Sequence, residues 1–360
     1  MKELTIHSST HNYQVMIGRS LRHQLDTLIK NDYASVLVIS DSVVADLYLE
    51  DVKAAFSKST KVFSAVVPAG EGSKSIEHYG NLLDKCIDNQ LDRQSLIVAL
   101  GGGMVGDLAG FAASTYLRGI DFIQMPTSIL AHDSSVGGKV AINHPQGKNL
   151  IGSFYNPVQV VYDTATLQSL PLAEIRSGYG EVIKHALLSD ESWYNELKSK
   201  KVTEVTEEEL EDYLLSGIKV KARIVENDER EQGVRKHLNL GHTLAHALEA
   251  ELGYGDITHG ESVAIGIAFA MRVSQQKLKS SLPVDSYFKW LTLNDYPMET
   301  LVNADTKKLV HRMKWDKKTV KEDIHFVMLE EIGKPVVKKV SNEELTHYLE
   351  QFIGEVSRIE

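Results

Sequence analysis

Over roughly the first 160 residues, short apolar runs alternate with stretches of helical spacing. Tyr13–Ile17, Ser35–Ser40 (SVLVIS), Lys61–Val67 and Ser95–Leu100 are apolar and rich in β-branched residues, which predicts strands. Between the first two, Leu21, Leu25, Leu28 and Ile29 recur at helical spacing. Asp41 and Ser42 follow the second strand and can cap the next helix. The loop Pro68-Ala69-Gly70-Glu71-Gly72 leads to Ser73 or Ser75 as the cap of a helix from Ile76 to Ile87. Ser95–Leu100 is apolar almost without interruption, as expected of a strand buried on both faces of a parallel sheet. Such β–α–β alternation predicts a doubly wound, Rossmann-like, mostly parallel sheet.

From about Pro171 the pattern turns helical. Ile175–Leu188, Val205–Asn227, Arg235–Leu252 and His259–Ala270 read as helices, the second opened by the capping-box pattern Thr206-Glu207-Glu208-Glu209. Asp323–Val337 reads as a small hairpin with Ile332-Gly333-Lys334 at its tip, and Ser341-Asn342-Glu343-Glu344 opens a last helix. No internal repeat or low-complexity segment is visible. The expected organisation is an α/β N-terminal domain over residues 1–168 and a mostly α-helical C-terminal domain over 169–360, with the boundary near Tyr162–Pro171.

Composition narrows the function classes. The 360 residues are 42% hydrophobic and 24% charged, ordinary for a folded protein, and the net charge of -10 comes without any basic run. Nucleic acid is therefore not an expected partner. One cysteine, Cys86, excludes an internal disulfide and a Cys-based zinc cluster, and fits a reducing cytoplasm. The N-terminus has no apolar core of a signal peptide, and no apolar run approaches ~18 residues, so no membrane span is expected.

Two stretches carry candidate chemistry. Pro126–Asn156 sets Asp133, Lys139, Lys148 and Asn149 among glycines and prolines, with apolar residues only in short runs. Read blandly, it is a solvated hairpin with a polar tip. Its carboxylate, cations, amide and hydroxyls suit an anionic, hydroxyl-rich small molecule, and cations clustered in an acidic chain point to a focused anion site. Gly101-Gly102-Gly103-Met104-Val105-Gly106-Asp107 contains G-x-G-x-x-G after a strand and before a helical pattern, the context of a dinucleotide fingerprint. There, backbone approaches a pyrophosphate at a helix start. The usual acidic ribose ligand ~20 residues later is missing, because Asp121 begins a strand. Asp41 and Glu71, at earlier strand ends, are the better candidates.

A metal set is also legible. His242 and His246 are four apart and share a helix face, His259 follows a short Gly-rich link, and Glu181 sits on an earlier helix after a glycine. A carboxylate with imidazoles suits zinc with one position open to substrate. Spacing leaves the choice open: His242 with His246 is the naive pair, and Glu181 with His185 is a further i, i+4 possibility.

PAGEGSKS, GGGMVGDLAGF, HDSSVGGKVAINHPQGKNLIG, SGYGEVIKHALL, KARIVENDERE, RKHLNLGHTLAHALE and HGESVAIG occur in that order. Together they resemble the 3-dehydroquinate synthase family, among the sugar-phosphate cyclases, from about Gly70 to Lys318. The resemblance implies an N-terminal nucleotide-binding α/β domain, a helical metal-binding domain, an active site in the cleft between them, and usually a homodimer. It implies conversion of 3-deoxy-D-arabino-heptulosonate 7-phosphate to 3-dehydroquinate and phosphate, in the shikimate pathway to aromatic amino acids. The steps are transient oxidation, phosphate β-elimination, reduction and aldol closure, with NAD recycled and one divalent ion, Zn or Co.

The residues follow by the same resemblance. The metal ligands match Glu181, His242 and His259, leaving His246 for substrate. NAD contacts match Asp41, Glu71, Gly72, Ser73, Lys74, Gly103, Met104, Val105, Gly106, Asp107, Thr127, Ser128, Lys139, Lys148, Thr166, Leu167, Gln168 and Ser169. Substrate contacts match Asp133, Lys139, Asn149, Lys184, Lys221, Arg235, Asn239 and His246. Arg118 matches a residue reaching the phosphate of the neighbouring subunit's substrate, and Lys317 or Lys318 one that closes over the site. Val140 and the pair Ala131-His132 depart from the family's usual residues at the periphery of these motifs. Another sugar-phosphate cyclase, a metal- and NAD-dependent polyol dehydrogenase, and a non-enzymatic nucleotide-binding or structural protein are the alternatives.

Overall fold

Nine strands are laid down in the first half of the chain: β1 (Lys2–Ile6), β2 (Tyr13–Gly18), β3 (Ser35–Asp41), β4 (Lys61–Val67), β5 (Leu96–Gly101), β6 (Asp121–Pro126), β7 (Lys139–His144), β8 (Gly147–Phe154) and β9 (Gln159–Asp163). The computed structural model describes residues 1–253, 256–315 and 324–358, Trp315 by its backbone alone. Seven of the strands form one sheet in the order β1-β2-β9-β6-β5-β3-β4. All its pairings are parallel except β1 with β2. β7 and β8 pair separately as an antiparallel hairpin.

Side-chain alternation builds a core on each face of the sheet. Leu37, Ile39, Ile97 and Ala99 face one way, against Leu108, Phe111 and Ala112 of the helix Gly103–Thr115. Val36, Val38, Leu96 and Val98 face the other, with Leu49 and Val52 of the helix Ser42–Ala54. A strand apolar at every position is what two such cores require, and β5 is buried along its whole length.

The chain divides into two compact units, Met1–Leu170 with Glu207–Glu229, and Pro171–Thr206 with Arg230–Glu360. The helix Glu207–Asn227 thus goes with the sheet, where its sequence position had put it in the helical domain. Glu207 pairs with Arg19 and accepts from Thr164, Glu226 accepts from the backbone N–H of His7, and Lys221 pairs with Asp133. The periodicity of Leu21–Ile29 gives less than the helix expected: a 3-10 turn, Leu21–His23, and a single α-turn, Leu25–Leu28.

The second unit is built around the helix His259–Leu278, buried from Gly260 to Met271. The helices Leu172–Leu187 and His242–Leu252 pack on it. Its start is fixed by a capping box in which Thr258 accepts from Glu261 N and Glu261 accepts from Thr258 N. The stretch expected as one helix, Arg235–Leu252, is broken. Val234–Asn239 is 3-10, Gly241 takes φ 82, and the α-helix begins at His242. The expected hairpin is β10 (Ile324–Glu331) with β11 (Lys334–Val340), and Ser341 caps the final helix Asn342–Val356. Lys317 and Lys318 lie outside the described residues.

Candidate active site

In the first unit the expected nucleotide residues gather by topology. In the sheet order, β4 lies on one side of β3 while β5, β6 and β9 follow on the other, so the winding reverses between β3 and β5. Ligands of open α/β sheets bind outside the carboxyl ends of the strands at such a point. Asp41 ends β3. Glu71, Gly72, Ser73 and Lys74 follow β4, and Gly103, Met104, Val105, Gly106 and Asp107 follow β5. Thr127 and Ser128 follow β6, while Thr166, Leu167, Gln168 and Ser169 follow β9. These segments come from distant parts of the chain, yet all leave the sheet at one end.

The helix Gly103–Thr115 starts without a side-chain cap, and uncapped N–H groups at a helix start suit an anion. A Cβ on Gly103 would come within 2.9 Å of Ser134 Oγ, so a larger residue would fill this approach. Asp41 is buried and already accepts from Val43 N and Val44 N at 3.0 and 3.1 Å.

Lys74 is the hub of a polar knot. Its Nζ lies 2.7 Å from Asp107 Oδ2 and 2.6 Å from Asn149 Oδ1, with Glu71 at 3.5 Å. Burial works against its charge, but Asp107 and Glu71 outweigh it and raise the Lys74 pKa. Asn143 completes the knot: its side chain donates to Glu71 and accepts from Asn149 N. Sequence reasoning missed Asn143, although it lies in the motif VAINHPQGKN. Lys139 and Lys148 stand on the β7–β8 hairpin. Asp133, on the one-turn helix Ala131–Ser134, pairs with Lys221 at 3.0 Å. Arg118 is exposed at φ 70, directly before Gly119 at φ 120.

In the second unit, three helices bring the expected metal set together. Glu181 Oε1 lies 3.6 Å from His242 Nε2 and 3.6 Å from His259 Nε2. Glu181 is 1% exposed, and Lys184 pairs with its other oxygen. His246 stands beside the set, its ring centroid 5.4 Å from that of His242 and 6.0 Å from that of His259.

The two imidazoles differ electrically. Burial and the neighbouring Lys184 cation push His242 down to about 3, so its ring is neutral. Burial also opposes charge on His259, but hydrogen bonds to Glu181 and Glu249 win and lift it to about 10. A buried carboxylate and two imidazole nitrogens converging on one point form a donor set suited to a zinc-like ion. Arg235 is buried on the 3-10 segment Val234–Asn239, and Asn239 donates to Glu231 at 3.1 Å. Sequence reasoning also missed Glu231, which lies in the quoted run KARIVENDERE.

The family model described as 3-dehydroquinate synthase N-terminal matches residues 64–177, and that described as 3-dehydroquinate synthase C-terminal matches 178–319. The chain is 46% identical over 359 residues to the 3-dehydroquinate synthase of Oceanobacillus iheyensis, covering 100% of both chains. It is 48% identical over 358 residues to that of Bacillus mycoides, covering 98% of this chain and 99% of the other. Among solved structures it is similar to 2-deoxy-scyllo-inosose synthase complexed with carbaglucose-6-phosphate, NAD+ and Co2+. That match has a TM-score of 0.89 and 25% identity, covering 97% of this chain and 100% of that one. With the two family models following one another over residues 64–319 and near-half identity along its length, the chain belongs to the 3-dehydroquinate synthase family.

Proposed function

We propose that this chain converts 3-deoxy-D-arabino-heptulosonate 7-phosphate to 3-dehydroquinate and phosphate, with NAD regenerated in each turnover and one divalent ion, zinc or cobalt, at Glu181, His242 and His259. The observation that carries the reading is that donor set, assembled from three helices in a chain that matches the synthases end to end. When bound, the ion polarises the substrate oxygen at the carbon to be oxidised, and the nicotinamide takes and returns a hydride.

The chain's own residues do the rest by position and charge. Arg235 offers a planar fork matched to the substrate carboxylate, and Lys139 and Lys221 act as point charges. Asn149, Asn239 and His246 orient hydroxyls, and Lys184, beside Glu181, adds a cation. Asp133 holds Lys221 in place. Oxidation acidifies the neighbouring C–H, so phosphate leaves by β-elimination, and the substrate's own phosphate can take that proton. The segments after β3, β4, β5, β6 and β9 hold the dinucleotide, Asp41 and Glu71 being the acids suited to its ribose. A homodimer in the cytoplasm, with Arg118 of each subunit reaching the other's substrate phosphate, completes the proposal.

The test is phosphate release from the heptulosonate phosphate with substoichiometric NAD, followed by identification of the product. This reading expects many phosphates per NAD, no accumulating NADH, and 3-dehydroquinate. Stoichiometric NADH would instead indicate a polyol dehydrogenase, a different carbocycle another cyclase, and no phosphate a non-enzymatic protein.

A further inference from the structure

Each imidazole of the donor set uses one nitrogen toward Glu181 and the other toward an acceptor. His242 Nε2 lies 3.6 Å from Glu181 Oε1, and its Nδ1 lies 3.1 Å from the carbonyl oxygen of Leu240. His259 Nε2 lies 3.6 Å from the same carboxylate oxygen, and its Nδ1 lies 3.0 Å from Glu249 Oε2. Carbonyl oxygens and carboxylates only accept, so Nδ1 carries a proton in both rings and Nε2 is the nitrogen an ion would take, in His259 by replacing the proton shared with Glu181.

The two acceptors are not equivalent. Leu240 O is backbone, fixed by the turn that ends at Gly241. Glu249 is a side chain, 5% exposed, on the helix His242–Leu252. It lies seven residues after His242, two turns along the same helix face. A buried carboxylate is costly unless it is partnered, and the proposed chemistry gives Glu249 no other task.

We infer that Glu249 is a positioning residue for the metal centre: it holds the His259 ring with Nδ1 protonated and Nε2 directed at the ion. The inference rests on the proposed assignment of the ion to Glu181, His242 and His259. A carboxylate behind a ligating histidine fixes the ring and strengthens its donor nitrogen, and losing such a partner typically weakens metal affinity about 10–100-fold. There is one rival within the same side chains. His246, Glu249 and His259 also lie within 4.8 Å of one another and could hold an ion themselves. That arrangement would take His259 Nδ1 away from its hydrogen bond, so the two roles use opposite nitrogens.

The experiment titrates Co2+ alone against a competing chelator in the full-length chain and in Glu249→Gln, Glu249→Ala and His259→Ala. Proton NMR of the Co2+-loaded forms reads the solvent-exchangeable ring N–H signals. We expect one ion per chain throughout the Glu249 series, with affinity about 10–100-fold lower in Glu249→Ala. Glu249→Gln, whose amide oxygen still accepts, loses less. One shifted N–H signal exchanges faster in Glu249→Ala and is kept in Glu249→Gln, a change that general loosening of the fold does not select. The near-isosteric Gln variant carries the test if the Ala variant does not fold.

Unchanged affinity and N–H exchange in Glu249→Ala, with binding abolished in His259→Ala, would overturn the role of Glu249 and leave the metal assignment standing. Undiminished binding in His259→Ala as well would overturn the assignment itself. A fall from two ions to one in Glu249→Ala would make Glu249 a ligand and overturn the positioning role.

Discussion

Gly180 and Gly260 meet backbone to backbone: a Cβ built on Gly180 would collide with the carbonyl oxygen of Gly260. Each glycine is the immediate neighbour of a proposed ligand, Glu181 or His259. The helices Leu172–Leu187 and His259–Leu278 therefore cross where neither carries a side chain, and this close approach sets the spacing of the donor atoms. Ser177 Oγ, accepting from Gly260 N at 3.1 Å, and Arg176, donating to Glu261 at 2.7 Å, pin the same crossing. Gly180→Ala is expected to force the helices apart. Overpacking of this kind costs about 1–3 kcal/mol, and metal affinity should fall more than tenfold while binding of NAD is kept. Isothermal titration with Zn2+ and with NAD separates the two effects.

Lys74 is 4% exposed and holds Asp107 and Glu71 together. Lys74→Met would leave Asp107 and Glu71 without their nearest cation, Lys221 acting on Asp107 more weakly. Removing one partner of a buried pair costs about 3–5 kcal/mol. The double variant Lys74→Met/Asp107→Asn should recover part of that loss, because the orphaned charge goes too. Urea unfolding of the wild type, both single variants and the double variant measures the coupling. A double variant as unstable as the sum of the singles would contradict the arrangement.

Arg235→Ala is expected to raise KM by ~100-fold or more, as follows from losing two charge-assisted hydrogen bonds of about 1.5–3 kcal/mol each. Metal content and NAD affinity should stay within twofold. Arg235→Lys should not restore KM, since an ammonium cannot make the bidentate contact. Steady-state kinetics on all three forms decides it.

A pH effect is expected at the last helix. The hydrogen bond from Lys277, at 2.7 Å, and that from Ser341 N, at 2.9 Å, hold the Glu344 carboxyl below its ordinary range. The folded pKa is thus lower than the unfolded one. Stability from this group is fully present above the unfolded value, about 4.3, and is lost as pH falls through the lowered one. Glu344→Gln should lower Tm at pH 7 and have little effect at pH 2. Because the group is half exposed, the difference should stay below about 1 kcal/mol. Thermal melts at the two pH values test the sign.

Much of this molecule was legible in its sequence where a local pattern dictates a local outcome. The apolar run at Leu96–Leu100 and the glycines after it gave β5 and the helix start at Gly103, because a doubly buried strand and a close backbone approach each demand one residue type. Ser341 and Glu344 gave the last helix's cap for the same reason. What stayed hidden depends on contacts distant in sequence. The periodicity from Arg235 to Leu252 is helical, yet Gly241 breaks it at φ 82, packed so closely on Val263 and Ile267 that a Cβ would clash. The helix Glu207–Asn227 is charged and amphipathic wherever it packs, so only its contacts with Arg19, Thr164 and Asp133 assign it to the sheet. Glu249 reads as one more acid on a helix until His259 is placed beside it. Spacing also left the choice of metal ligands open, and the closeness of Glu181, His242 and His259 shows only once three helices meet.

The central claim is that those three side chains hold a single ion. Anomalous diffraction from crystals grown with Zn2+ or Co2+ measures it directly. The account predicts one peak per chain, bonded to Glu181 oxygen and to Nε2 of His242 and His259 at about 2.0–2.2 Å. A peak on His246 and Glu249 instead, or an ion bound without Glu181, would contradict it.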